Sequence, residues 1–329
     1  MTKLILSTSN VMSAGPTVIR KSKSAGTRSN LELVNSLREN FVAAKLDYAT
    51  FPPQTNGHVP TPIPPAIEVW TEKTADAKSG GGGGSVFIPR INWEGAGLLD
   101  EASQYEITVK LFFLPPAAPA AHGGTAGLTA ERARYIEDAL SLVTRELGVA
   151  TIDLLVASFP GMSFEGTCEW EADKRNAQQG NLDDEVATWR VLETLQQQGR
   201  VRQLGVAEFG SEKLAAFMAA TTVRPAVDQI NLKDCCNVPP PLKQLATQHG
   251  IELNVHSDCT DILPPGTLRQ LLGHGPQGAG ILADPEHPVG EAGWEGEIVP
   301  QWVVRYVAFV RDRGVIENKG YFAGAELVN

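Results

Sequence analysis

A lysine inside an apolar strand is the first residue in this sequence with chemistry to offer. Lys110 interrupts Ile107–Phe113, a run that reads as a strand. Either its ammonium snorkels to solvent, or it is a positioned charge at the mouth of a site. Other reactive types stand where further apparent strands end: Ser158 with Phe159, Ala207 with Glu208, Asn231 to Asp234, and His256 to Asp258. In parallel α/β folds these C-terminal strand ends open onto one face, where acid–base groups collect. Asp153 opens its strand at the other end and reads as a structural cap. Gly273, Gly275 and Gly278 spell G-x-G-x-x-G, but they follow the helix-like Leu268–Leu272. A dinucleotide fingerprint needs strand, turn and helix in that order. The glycine run ending at Ser85 has no Lys-Ser or Lys-Thr after it, so it reads as a tether and not a phosphate cradle. No G-x-S-x-G elbow and no H-E-x-x-H is present.

Four cysteines are too few for a disulfide scaffold. There is no C-x-x-C, and the six histidines do not cluster, which argues against a zinc site. The wording fits a reducing cytosol. Cys235 and Cys236 are adjacent and read as two small buried side chains, or as one exposed thiol near an interface.

The elements that position these residues alternate. Val186, Trp189, Leu192 and Leu195 share a helical face, Gly199 supplies a left-handed close, and Val201–Ala207 reads as a buried strand. Ser29-Asn30 caps a helix from Leu31 to about Ala44, and Thr129 caps one that Gly148 closes. Ile152–Ala157 is a continuous apolar strand of the kind buried on both faces. Ser211 caps the helix 212–220, Ala226–Leu232 is a strand, Pro241–Gln248 a helix, and Ile251–His256 a strand. Val299–Arg313 reads as an amphipathic helix, followed by a short strand at Val315-Ile316. Such alternation specifies an α/β fold, either a closed (β/α)8 TIM-type barrel, which we favour, or an open doubly wound sheet.

The chain, 329 residues and 42% hydrophobic, is long enough for one barrel-sized domain spanning 1–329. A net charge of −10 argues against nucleic-acid and anionic-membrane partners. No apolar run reaches membrane length, and the N-terminus lacks a signal-peptide core. Proline- and glycine-rich composition marks 51–85 as a flexible insertion, with weak order also expected over 115–127.

Four motifs carry a family resemblance. DLLVASFP (Asp153–Pro160), WRVLETLQQQGRVRQLGVAEF (Trp189–Phe209), AVDQINL (Ala226–Leu232) and QWVVRYVAFVRDRGVIENKGY (Gln301–Tyr321) resemble, in order and spacing, motifs of the aldo-keto reductases. That resemblance implies the TIM barrel and an Asp, Tyr, Lys and His tetrad, in which the tyrosine donates a proton to a carbonyl. Lys110 matches the family lysine. Ser158 stands where the family has its histidine, and no Asp–Tyr pair precedes Lys110 at the family spacing; Tyr105 is too close. Ala207-Glu208 replaces the Ser-Asn that holds the nicotinamide, while Gln229 keeps its match.

A narrower stretch, NLKDCCNVPPPLKQLATQHGIELNVHSD (Asn231–Asp258), resembles the regulatory (modifier) subunits of glutamate–cysteine ligase, an aldo-keto-reductase-like family without the tetrad. Arg313, Gly314, Ile316, Lys319, Gly320 and Tyr321 extend the match. It implies a non-catalytic cytoplasmic protein that binds the ligase's catalytic subunit and tunes glutathione synthesis through glutamate affinity and glutathione feedback. A contact near Cys235, Cys236, Pro239, Pro240 and Leu242 is then expected. No cofactor is required, although Lys110, Gln229 and Lys319 are the residues that would retain NADP(H). The rival expectation is an NADP-dependent oxidoreductase of the aldo-keto reductase type.

Overall fold

The computed structural model describes residues 1–13, 28–51, 63–74, 84–116, 123–232, 237–258, 261–275, 277–284 and 293–328. Among them, ten strands form one sheet: β1 (Thr2–Ser7), β2 (Glu72–Thr74), β3 (Ser85–Ile88), β4 (Tyr105–Phe113), β5 (Ile152–Ser158), β6 (Val201–Ala207), β7 (Val227–Asn231), β8 (Glu252–His256), β9 (Glu297–Val310) and β10 (Val315–Val328). The order is β2-β3-β1-β10-β9-β4-β5-β6-β7-β8. Helices are α1 (Arg28–Asp47), α2 (Ile67–Trp70), α3 (Gly124–Leu147), α4 (Glu169–Asn176), α5 (Leu182–Gln197), α6 (Ser211–Ala220), α7 (Pro240–His249) and α8 (Thr267–Leu272).

The α/β class holds, and the β/α run is clearest from β4 to β8, whose neighbours are all parallel. The pivotal unit forms as its sequence dictates. Asn181 accepts hydrogen bonds from the backbone N–H groups of Asp183 and Asp184 to cap α5, Gly199 sits at φ 72°, and β6 follows. Gly148 and Gly250 close α3 and α7 in the same left-handed conformation.

Three local expectations are corrected. Val299–Arg313 is no helix: most of it lies in β9, which pairs antiparallel with β10 and with β4. Trp302, Val304, Tyr306, Ala308 and Val310 are all buried, a period of two, and β-branched and aromatic residues favour strand here over helix. The long β9–β10 hairpin therefore stands where an eightfold parallel repeat would continue with helix and strand. Thr129 does not cap α3. The helix starts five residues earlier at Gly124, and the Thr129 hydroxyl donates to the Thr125 carbonyl within it. Finally, the stretch 51–85 is not uniformly without structure. Residues 67–74 carry α2 and β2, anchored by Trp70, which is fully buried against Phe41. The other parts of that stretch, and residues 117–122, lie mainly outside the described residues.

Alternate residues send their side chains to opposite faces of the sheet. Tyr105, Ile107, Val109, Leu111 and Phe113 of β4 join the core under α3, α5, α6 and α7. Leu154 and Val156 of β5 face the other way, with Ala207 and Val227. On that second face, α1 and α8 pack over β1, β3 and β10.

Candidate functional site

Lys110 is the centre of a buried charged row on this second face. Backbone register places it beside Arg305 of β9, and Arg305 beside Tyr321 of β10. Two cations side by side on one sheet face repel. Asp258, just beyond β8, resolves the conflict. Its carboxylate accepts from the Lys110 Nζ at 3.0 Å and is ion-paired with Arg305 Nη1. In a flat sheet β8 and β4, four strands apart, would lie about 19 Å from each other. The Lys110–Asp258 contact therefore requires the sheet to curl strongly, so that β8 faces β4 across a concave surface.

The row continues on both sides. His256 Nδ1 accepts from the Asp258 backbone N–H at 3.0 Å, which leaves Nε2 to carry the ring hydrogen and donate to Glu208 Oε1 at 2.7 Å. By that assignment the 3.4 Å approach of Lys110 Nζ to Nε2 joins two donors, so Asp258 is the lysine's effective partner. Glu208 also accepts from the Asn231 N–H, and the Asn231 side chain donates to the Asp258 carbonyl. On the other side, Glu32 of α1 accepts from the Tyr321 hydroxyl at 2.6 Å and pairs with Lys319. Helix α1 is thus tied to the row through a single carboxylate.

Burial sets the electrostatics. Lys110 is 1% and Asp258 5% exposed. Desolvation pulls the Lys110 ammonium below its ordinary value, opposed by Asp258 and reinforced by Arg305. For Asp258, desolvation pushes upward, but the Lys110 and Arg305 charges outweigh it and hold the carboxyl well below the usual range. Asp228 of β7 makes no ion pair of this kind among the described residues. Burial drives it well above its ordinary value, against the smaller pull of the Phe209 N–H and the Lys110 charge, and its Oδ2 has no hydrogen-bond partner among the described residues.

Among the described residues, Glu208 is one of two non-glycine residues with positive φ, at 65°. Its N–H donates to the Gln229 carbonyl and its carbonyl accepts from the buried Asn176 amide. The strained turn aims the carboxylate inward at His256.

Of the residues singled out in the sequence, Lys110 and Gln229 come together through His256, whose Nε2 lies 3.3 Å from the Gln229 carbonyl. Lys319 lies on β10 and reaches the row only through Glu32. Ser158 ends β5 half-buried. Asp153 braces the strand bottoms, accepting from the Ile107 N–H at 2.8 Å and from Arg202. The G-x-G-x-x-G turn follows α8, with Gly273 and Gly280 joined by a backbone hydrogen bond. Cys235 and Cys236 lie outside the described residues. Pro239 is buried at the start of α7, Leu242 is fully buried in the core, and of the three only Pro240 is exposed. Among the described residues no cluster of His, Cys, Asp and Glu could hold a metal, and no helix is long and apolar enough to cross a membrane.

Sequence reasoning missed Arg305, Glu32 and Asp228. Arg305 was hidden by the helical reading of its segment; the alternation Trp302, Val304, Tyr306 against Val303, Arg305, Val307 is the signal that exposes it.

Residues 96–258, which span β4 to β8, match the profile of the Aldo/keto reductase family. The chain is similar to the putative glutamate–cysteine ligase regulatory subunit of Schizosaccharomyces pombe, with 29% identity covering 72% of this chain and 76% of that protein. It is also similar to the glutamate–cysteine ligase regulatory subunit of Rattus norvegicus, with 26% identity covering 69% and 68%. A crystal structure of a Bombyx mori aldo-keto reductase in complex with NADP aligns with a TM-score of 0.28 at 21% identity, over 41% of this chain and 38% of that one.

Proposed function

We propose that this protein is a non-catalytic regulatory subunit of glutamate–cysteine ligase, acting in the cytoplasm by binding the catalytic subunit. The single observation that carries the reading is the state of Lys110. A carbonyl reductase of the family it resembles needs the lysine next to a tyrosine hydroxyl, to make that hydroxyl a stronger acid. Here the ammonium is buried and hydrogen-bonded to a carboxylate shared with Arg305. The Tyr321 hydroxyl is committed to Glu32, that of Tyr105 to Glu317, and that of Tyr306 lies against Glu146. General acid catalysis needs a donor aimed at substrate, and each of these points into protein instead.

The same pairing weighs against a nicotinamide dinucleotide phosphate. Neither Lys110 nor Lys319 is free to meet a phosphate, because Asp258 and Glu32 hold them. Glu208 brings a carboxylate to the position where the nicotinamide amide would be held. The residues present do not fit the cofactor.

A regulatory subunit works through differential binding: it changes substrate affinity only by favouring one conformation of its partner over another. The flank at the start of α7, where Pro240 is exposed, is our choice for the contact, with Cys235 and Cys236 beside it in the chain. Co-purification of the two chains tests the reading. A stable complex supports it; separate elution of the two chains contradicts it.

A further inference from the structure

A second cleft carries chemistry that the regulatory reading does not use. It measures about 400 Å³ and lies between α3 and α5. Its walls are apolar: Pro116, Leu128, Phe159 and Pro160. Arg132 of α3 is 5% exposed and lines it. The guanidinium stands over the rings of Phe113 and Phe159, at 5.2 Å and 5.6 Å. Its Nη1 donates to the Thr188 hydroxyl at 3.0 Å and reaches the Asp184 carbonyl at 3.4 Å. Nε and Nη2 have no hydrogen-bond partner among the described residues, and no carboxylate comes within ion-pairing distance. Desolvation pulls the guanidinium below its ordinary value, opposed by the charges of Asp184 and Glu185, neither of which reaches it in an ion pair.

Two further features complete the site. The N-cap of α3 is Gly123, which offers no side-chain acceptor, and Gly124 and Thr125 of its first turn line the cleft. The two carboxylates at the cleft differ. Glu185 is paired with the buried Lys213 at 2.7 Å, whereas Asp184 has a buried Oδ1 with no donor. An unpaired guanidinium and an under-satisfied carboxylate thus flank one small apolar space.

We propose that this cleft binds a zwitterion of the α-amino acid class. The ligand carboxylate meets Arg132 and the first turn of α3, its ammonium meets Asp184, and its side chain meets Leu128 and Phe159. The assignment is independent of partner binding and of the charged row around Lys110.

The test is calorimetric titration of the full-length chain with L-leucine, N-acetyl-L-leucine and L-leucinamide. Binding of L-leucine that is lost on both acetylation and amidation supports the proposal. Absence of binding at millimolar ligand overturns it, as does equal binding of the acetylated form. Arg132→Gln should weaken binding about tenfold or more, the loss expected for a charge-assisted pair. Because Arg132 is buried, Leu128→Trp provides an independent check. It fills the cleft from a half-buried position, and with native circular dichroism it should abolish binding; unchanged affinity in that variant overturns the proposal.

Discussion

Asp258 holds two neighbouring cations in place, and its removal should be expensive. In Asp258→Ala, Lys110 and Arg305 lie side by side without the carboxylate that pairs with both. Breaking one partner out of a buried pair costs about 3–5 kcal/mol, which urea unfolding would read as a large fall in midpoint. The pH dependence has a definite sign. A carboxyl whose folded value lies below its unfolded value contributes stability that is complete above the ordinary carboxylate range and is lost as pH falls through the folded value. Asp228 runs the other way. Its folded value is raised, so the fold loses stability as pH rises from the ordinary carboxylate range toward that raised value. Asp228→Asn keeps a neutral side chain at every pH. It should unfold at higher urea than the parent at pH 7, with the difference shrinking toward pH 4; equal curves at both pH values would contradict the account.

The β9–β10 hairpin decides which residues share the concave face, because its register sets Arg305 between Lys110 and Tyr321. Gly324 shows how closely the hairpin is packed: an added Cβ there would collide with the Trp302 indole, itself fully buried. Gly324→Ala should therefore cost about 1–3 kcal/mol by overpacking, seen as a lowered melting temperature, whereas a neutral result would mean the hairpin yields easily. Legibility in the sequence divides along the same line. Strands β4 to β8 could be read from short apolar runs, and α5 and α7 from an apolar face followed by Gly199 and Gly250; α6 was read from Ser211, which begins the helix and does not cap it. The hairpin could not, because Val299 to Val310 is apolar at nearly every position, and Arg311 and Arg313 at its end imitate a helix terminus. Lys110 was legible as an anomaly inside an apolar strand. Its partners were not, since Asp258 and Arg305 are remote in sequence and meet it only when the sheet curls.

For the whole molecule, the two halves of the sheet do different things. The parallel run that matches the Aldo/keto reductase profile supplies the strand ends, and the antiparallel hairpin supplies Arg305, which shares the Asp258 carboxylate with Lys110. Helix α1, bound through Glu32, closes the far side of the same row. Among the described residues this face is braced by charge, with Lys110 and Tyr321 each held by a carboxylate.

The most direct test of that claim is the glutamate saturation curve of the catalytic ligase subunit, measured with and without saturating amounts of this chain. The account predicts a complex whose apparent glutamate affinity differs from that of the catalytic subunit alone. Superimposable curves, together with turnover of an aldehyde and reduced nicotinamide cofactor by this chain by itself, would contradict it.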